Sequence, residues 1–196
     1  MTHPIRTRRP RARAAAGLAL LALALAACDD DPFRFDWDDT PRTAQLYSLA
    51  LPTPGLPSGY SFVEHFAVLV ESPGATGRWD VALGTEGSSL VLLPPGALGV
   101  GGNGGIATIT DRTFDEVTEA PGGEVYETRA PVPVASGQVY VVRTTPRPTR
   151  IGTCTYFAKL EPTEIDVAAG QLTFRYLTAG GLTPICNSRE FVPPDD

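Results

Sequence analysis

Histidine and methionine are almost absent from this chain, with two His and one Met in 196 residues. His3 and Met1 fall in the first three positions, so His65 is the one imidazole in the body of the sequence. A catalytic triad therefore has a single candidate base, and no Gly-x-Ser-x-Gly, His-Glu-x-x-His or Cys-x-x-Cys spacing accompanies it. Cysteine is limited to Cys28, Cys154 and Cys186, and neither of the last two has another Cys or a His nearby, which matches no zinc pattern. Long helices are excluded by 20 Gly and 19 Pro. Paired acids do occur, as Asp115 with Glu116 and Glu119 with Glu124, but adjacent acids on a loop read as solvated surface. The chain reads as a protein without enzymatic activity.

What is present begins at the N-terminus. Arg6, Arg8, Arg9, Arg11 and Arg13 precede an apolar run, Ala14 to Ala27, built from Ala, Leu and one Gly. At about fourteen residues the run is shorter than the roughly 20 that a permanent membrane helix needs, and it fits the apolar region of a signal peptide. It ends in Leu25-Ala26-Ala27-Cys28, which resembles the lipobox of bacterial lipoproteins, so Cys28 is expected to carry lipid as the first residue of the processed chain. The alternative is an ordinary secretory signal that happens to adjoin a Cys. Two or three acyl chains, at about 0.8 kcal/mol per buried methylene, exceed what stable anchoring requires. The partner implied is a membrane of the cell envelope. Asp29 resembles an inner-membrane retention signal of enteric sorting, whereas in other bacterial groups acids near the cysteine accompany export to the surface; the outer membrane is favoured.

Removing residues 1–27 takes five Arg and no acid from 16 Lys+Arg and 22 Asp+Glu, which moves the formal charge from −6 to −11. A chain this acidic has no electrostatic footprint for nucleic acid and needs its acyl chains to stay on a membrane. With Cys28 given to lipid, Cys154 and Cys186 remain as an even pair in an oxidising compartment and read as a disulfide. In the chain-entropy model a loop of about 30 residues contributes roughly 3 to 4 kcal/mol. Its expected role is to pin the tail, Asn187 to Asp196, to a sheet.

Three regions follow: the signal peptide 1–27, an acidic tether 28–42, and an all-β domain 43–196. The tether holds Asp29, Asp30, Asp31, Asp36, Asp38 and Asp39, whose mutual repulsion extends a linker; a calcium site is the less favoured alternative. Within the domain, runs rich in Val, Ile, Thr, Tyr and Phe recur between Gly and Pro clusters: 60–70, 79–83, 90–93, 106–110, 139–144, 155–161 and 171–177. Leu172, Phe174 and Tyr176 alternate with Gln171, Thr173 and Arg175, and Ala168-Ala169-Gly170 supplies a hairpin turn before them. This pattern predicts a single antiparallel, sandwich-like domain. Phe62 to Val70 looks buried on both faces, which makes His65 a structural histidine first and a catalytic one second. Trp79 is expected inside with Val81 and Leu83, and Asp80 in a turn or backbone hydrogen bond. The glycine-rich stretch 93–105 lacks the Lys-Ser/Thr ending of a phosphate loop and reads as a flexible connection.

The ordered set Tyr60-Ser61-Phe62, Arg78 to Leu83, Gly101 to Thr108, Thr113 to Pro121, Val139 to Thr144, Tyr156 to Leu160 and Gly170 to Tyr176 resembles the HmuY-like haem-binding lipoproteins. That resemblance implies an all-β envelope lipoprotein that captures haem between two axial side chains. In the relatives those ligands, His or Met, lie between the segments matched here by Thr113–Pro121 and Val139–Thr144. The interval in this chain, 122–138, contains neither residue. Tyr126 is its one group able to ligate ferric haem, with an ordinary strand aromatic as the alternative, and His65 stands in a shared strand outside the interval. The reading is a non-enzymatic envelope lipoprotein with haem or another ligand as cargo; the alternative is a structural or protein-interaction lipoprotein without haem. One prediction belongs to the cysteines: alkylation without reductant should leave Cys154 and Cys186 unmodified and with reductant label both, whereas two labelled thiols before reduction would refute the pair.

Overall fold

A computed structural model describes residues 40–51, 53, 55–150, 152–179 and 189–191, all within one unit, Asp36–Asp196. The described residues form twelve strands: β1 (Arg42–Tyr47), β2 (Gly59–Ser61), β3 (Phe66–Val68), β4 (Val81–Glu86), β5 (Ser89–Leu93), β6 (Gly105–Ile109), β7 (Val132–Pro133), β8 (Val139–Arg143), β9 (Arg147–Thr149), β10 (Gly152–Cys154), β11 (Phe157–Asp166) and β12 (Gln171–Thr178). One antiparallel sheet has the order β1-β12-β11-β8-β6, the other β3-β2-β4-β5-β7, and β9 with β10 makes a separate ribbon. The fold is an all-β sandwich, as its short strands and frequent Gly and Pro require.

Three apolar layers hold it together. Between the sheets lie Leu46, Tyr60, Phe62, Val81, Leu83, Leu92, Ile106, Tyr140, Val142, Leu160, Leu172, Phe174 and Tyr176, all buried. The alternation on β12 is realised here, with Leu172, Phe174 and Tyr176 turned into this core. Outside the first sheet, Ala107, Ile109, Val139, Val141, Phe157 and Leu177 form a second layer beneath Phe114, Val117, Ala120, Tyr126 and Phe191. Outside the second, Ala82, Val91 and Leu93 meet Val68, Ala75 and Trp79. Strand β8, between β11 and β6, is therefore buried on both faces, which is why Val139-Tyr140-Val141-Val142 is an unbroken apolar run.

The cover of the second layer is a single helical turn, closed at Val117 N–H to Thr113 carbonyl, 3.2 Å. Glu116 Oε2 accepts from both Thr113 N–H and Oγ1–H at 2.8 Å, so the carboxylate reaches back over the start of the turn as the Glu of a capping box does. Those two bonds hold the Glu116 carboxyl below its ordinary pKa. From beneath, buried Lys159 donates its ammonium to the carbonyls of Phe114 and Val117, 2.7 Å each, with the Phe114 ring 4.5 Å away. The tail adds Phe191, whose N–H bonds Thr118 while Arg189 carbonyl accepts from Ala120.

Several expectations need correction. Residues 60–70 are not one strand: β2 and β3 form a hairpin, and His65 sits in its turn at φ 55°. Trp79 is buried, but against Ala82, Val91 and Leu93 on the outer face, away from Val81 and Leu83. β11 runs past Pro162 to Asp166 because pairing with β8 stops at Leu160 and a register shift between Pro162 and Glu164 absorbs the missing N–H. Gly170, at φ 63°, does make the β11–β12 turn. The glycine-rich stretch is more than a flexible link, since a 3-10 turn, Pro95–Leu98, packs on Thr128. A Cβ on Gly96 would fall on the Thr128 carbonyl oxygen, a backbone atom that cannot step aside. Gly96→Ala should therefore cost about 1–3 kcal/mol. A urea midpoint equal to that of the wild type would show that this contact does not constrain the fold.

Candidate functional site

Tyr126 follows the 3-10 turn Gly123–Val125 and lies in the outer layer of the first sheet, its ring 6.3 Å from that of Phe157. Its hydroxyl donates to the Pro121 carbonyl at 3.2 Å, and the Arg143 guanidinium stacks 4.5 Å from the ring centre. Arg143 at the same time donates to Asn103 and Gly123 carbonyls, so it fastens two loops over the ring. Burial raises the Tyr126 pKa, against the smaller pull of Arg143 and Arg189. A phenol held in this way is neutral at physiological pH, the form least suited to ferric iron.

His65 belongs to the other side of that sheet. Its ring stacks on Tyr176, centroids 6.1 Å apart, and Nδ1 lies 3.3 Å from the Tyr176 hydroxyl. That hydroxyl meets the hydroxyl of Tyr60 at 2.7 Å, deep in the inter-sheet core. Burial, then the bond to Tyr176, raises the Tyr60 pKa. Tyr126 and His65 are thus divided by the first sheet and do not converge on one ligand.

Beside this network Asp80 is wholly buried. One carboxylate oxygen accepts from Phe62 N–H at 2.8 Å, as the sequence suggested; the other takes Arg147 Nη2 at 2.7 Å, a partner periodicity had not indicated. Burial raises the Asp80 pKa, while Arg147 and the amides of Phe62 and Val63 oppose the rise. The pair ties ribbon β9–β10 to the β2–β3 turn.

An open groove of about 200 Å³ runs along β3, lined by Phe66, Val68, Leu69, Pro73, Ala75 and Arg78. Phe66 and Leu69 are 37% and 40% exposed, uncommon for side chains of this size, and the Arg78 guanidinium lies 5.6 Å from the Phe66 ring centre. This trough, part apolar and part polar, with a cation on its rim can seat an apolar side chain beside an acid. Nothing in the composition marks it, because Phe66 and Leu69 read as core residues of a continuous strand.

Cys154 is buried at the end of β10, with Thr149 Oγ1 3.3 Å from its sulfur. Cys28 and Cys186 lie outside the described residues, and so do the expected lipid site and the second half of the expected disulfide. Among the described residues, no group of three or more His, Cys, Asp or Glu is gathered as a metal site, and no helix is long and apolar enough to cross a membrane. Compared with known proteins, the chain matches no family model and no curated protein. The buried ion pair gives the prediction here. Asp80→Ala leaves Arg147 and the Phe62 amide without their acceptor and should cost about 3–5 kcal/mol, with Asp80→Asn recovering part of the loss. Equal melting temperatures for wild type and Asp80→Ala would remove the pair from the account of stability.

Proposed function

We propose that this chain is a non-enzymatic lipoprotein of the bacterial cell envelope, of HmuY-like type, that acts as a binding or interaction module, with the outer membrane favoured over the inner. The anchoring half of the reading stands on the order of basic region, apolar run and Leu25-Ala26-Ala27-Cys28. The binding half stands on one observation, the open groove beside β3 with exposed Phe66 and Leu69 along it and Arg78 on its rim. Surface apolar side chains gathered into one concavity mark interaction sites more often than isolated ones do. Haem ligated jointly by Tyr126 and His65 is disfavoured, since one is capped by Arg143 outside the first sheet and the other is stacked on Tyr176 inside it.

The test has two arms. Metabolic labelling with an alkynyl fatty acid should mark the wild type and spare Cys28→Ser, whose processed or unprocessed form then carries no label; label retained by Cys28→Ser would overturn the anchor. Titration of ferric haem into the chain lacking residues 1–28 should give no saturable Soret shift that Tyr126→Phe or His65→Ala removes. A shift abolished by either substitution would restore haem as the cargo.

A further inference from the structure

The edge of the second sheet has a polarity that its hydrogen bonds reveal. Ser58 and Tyr60 carbonyls accept from Leu83 and Asp80 N–H groups, so residues 58 and 60 of the β2 segment address β4. In a strand the N–H and C=O of one residue point the same way and alternate from residue to residue. Gly59 and Ser61 therefore address β3, where they pair with Val68 and Phe66. Ala67, opposite Tyr60, is left with its N–H and C=O directed off the edge of the sheet. The Ala67 side chain packs toward the inter-sheet core, whereas Val68 joins the outer layer, and Phe66 and Val68 line the groove. Among the described residues, a backbone donor, a backbone acceptor and a groove with exposed Phe66 and Leu69 thus stand side by side. Arg78 completes the set: its only ion partner among the described residues is Glu64 at 3.7 Å, and both side chains are exposed. Such a pair is worth little and yields readily to a better-placed acid.

We propose that β3 is a strand-accepting edge that takes an extended peptide segment of a partner protein, one with alternate apolar residues and an acidic residue placed to meet Arg78. The added strand exchanges backbone bonds with Ala67, lays its outward side chains along Phe66, Val68 and Leu69, and sets its carboxylate on the guanidinium. Main-chain bonds supply affinity in this mode and the side-chain trough supplies selectivity. The edge is short, three residues, which limits indiscriminate pairing and leaves the choice of partner to the groove and the cation. This inference names the partner class for the interaction reading above; it is read in solution, so its failure is distinct from a failure of lipid attachment.

The probe is the peptide acetyl-SVTLSD-amide, with its Asp-to-Lys counterpart, titrated into the ¹⁵N-labelled chain lacking residues 1–28. Saturable shifts centred on the amides of Phe66, Ala67 and Leu69 are expected with the acidic peptide. Ala67→Pro removes the outward N–H without touching the β2 ladder and should weaken binding at least tenfold. Arg78→Glu should reverse the preference between the two peptides, and Leu69→Asp, an exposed change that spares the core, should weaken the acidic one. Melting temperatures of all three variants establish that each is folded. The proposal is overturned by the absence of saturable shifts at millimolar peptide, by wild-type affinity in folded Ala67→Pro, or by concentration-dependent self-association that Ala67→Pro abolishes, which would give the edge to a second copy of the chain.

Discussion

Burying both faces of one sheet is the constraint from which most of this structure follows. The strands β6, β8, β11 and β12 place apolar side chains alternately toward the sandwich core and toward its outside. A five-stranded sheet left bare on its outer face would expose a contiguous apolar patch, and chain outside the strands must cover it. Residues 113–126 do so, but as one turn at Thr113–Val117, a 3-10 turn at Gly123–Val125 and loops, each too short to be stable alone. Side chains replace what length would have provided. Thr113 and Glu116 cap the first end of the turn, Lys159 collects the carbonyls at the other, and Arg143 gathers neighbouring loops onto Tyr126. Burying the Lys159 ammonium lowers its pKa through desolvation, opposed by Asp115 and reinforced by Arg175. Its two carbonyl bonds and the aromatic faces of Phe114 and Phe191 compensate that loss of water.

The same economy governs the inter-sheet core. Tyr60, Phe62, Phe174 and Tyr176 form an edge-on cluster, and two of the four rings carry hydroxyls into it. Each hydroxyl is the other's partner, so the polarity is cancelled internally. His65 approaches from the turn and extends this pair toward the surface. Its imidazole stacks on the Tyr176 ring and stands within hydrogen-bond reach of that hydroxyl.

Elements with strict alternation or unbroken apolarity were legible before any coordinates. β12 announces itself through Leu172, Phe174 and Tyr176, and β8 through its apolar run. β1 did not, because Leu46 is its one wholly buried side chain and a single buried position makes no period. The β2–β3 hairpin was hidden for the opposite reason: apolar residues continue through the turn, and the left-handed position is held by His65 where a Gly would have advertised it. Of the candidate site, Asp80 was read correctly as an acceptor of backbone hydrogen bonds, whereas Arg147 lies too far along the chain for spacing to join them. The groove beside β3 depends on which backbone groups face outward. That is a property of register, and no hydrophobic pattern carries it.

The pairing of β1 with β12 has a further consequence, in time. Gln45 and Thr173, which face each other across that ladder, are 128 residues apart, so the first strand has no neighbour in its own sheet until the last has been made. A fold with such long-range closure assembles slowly and cannot finish on a partly emerged chain.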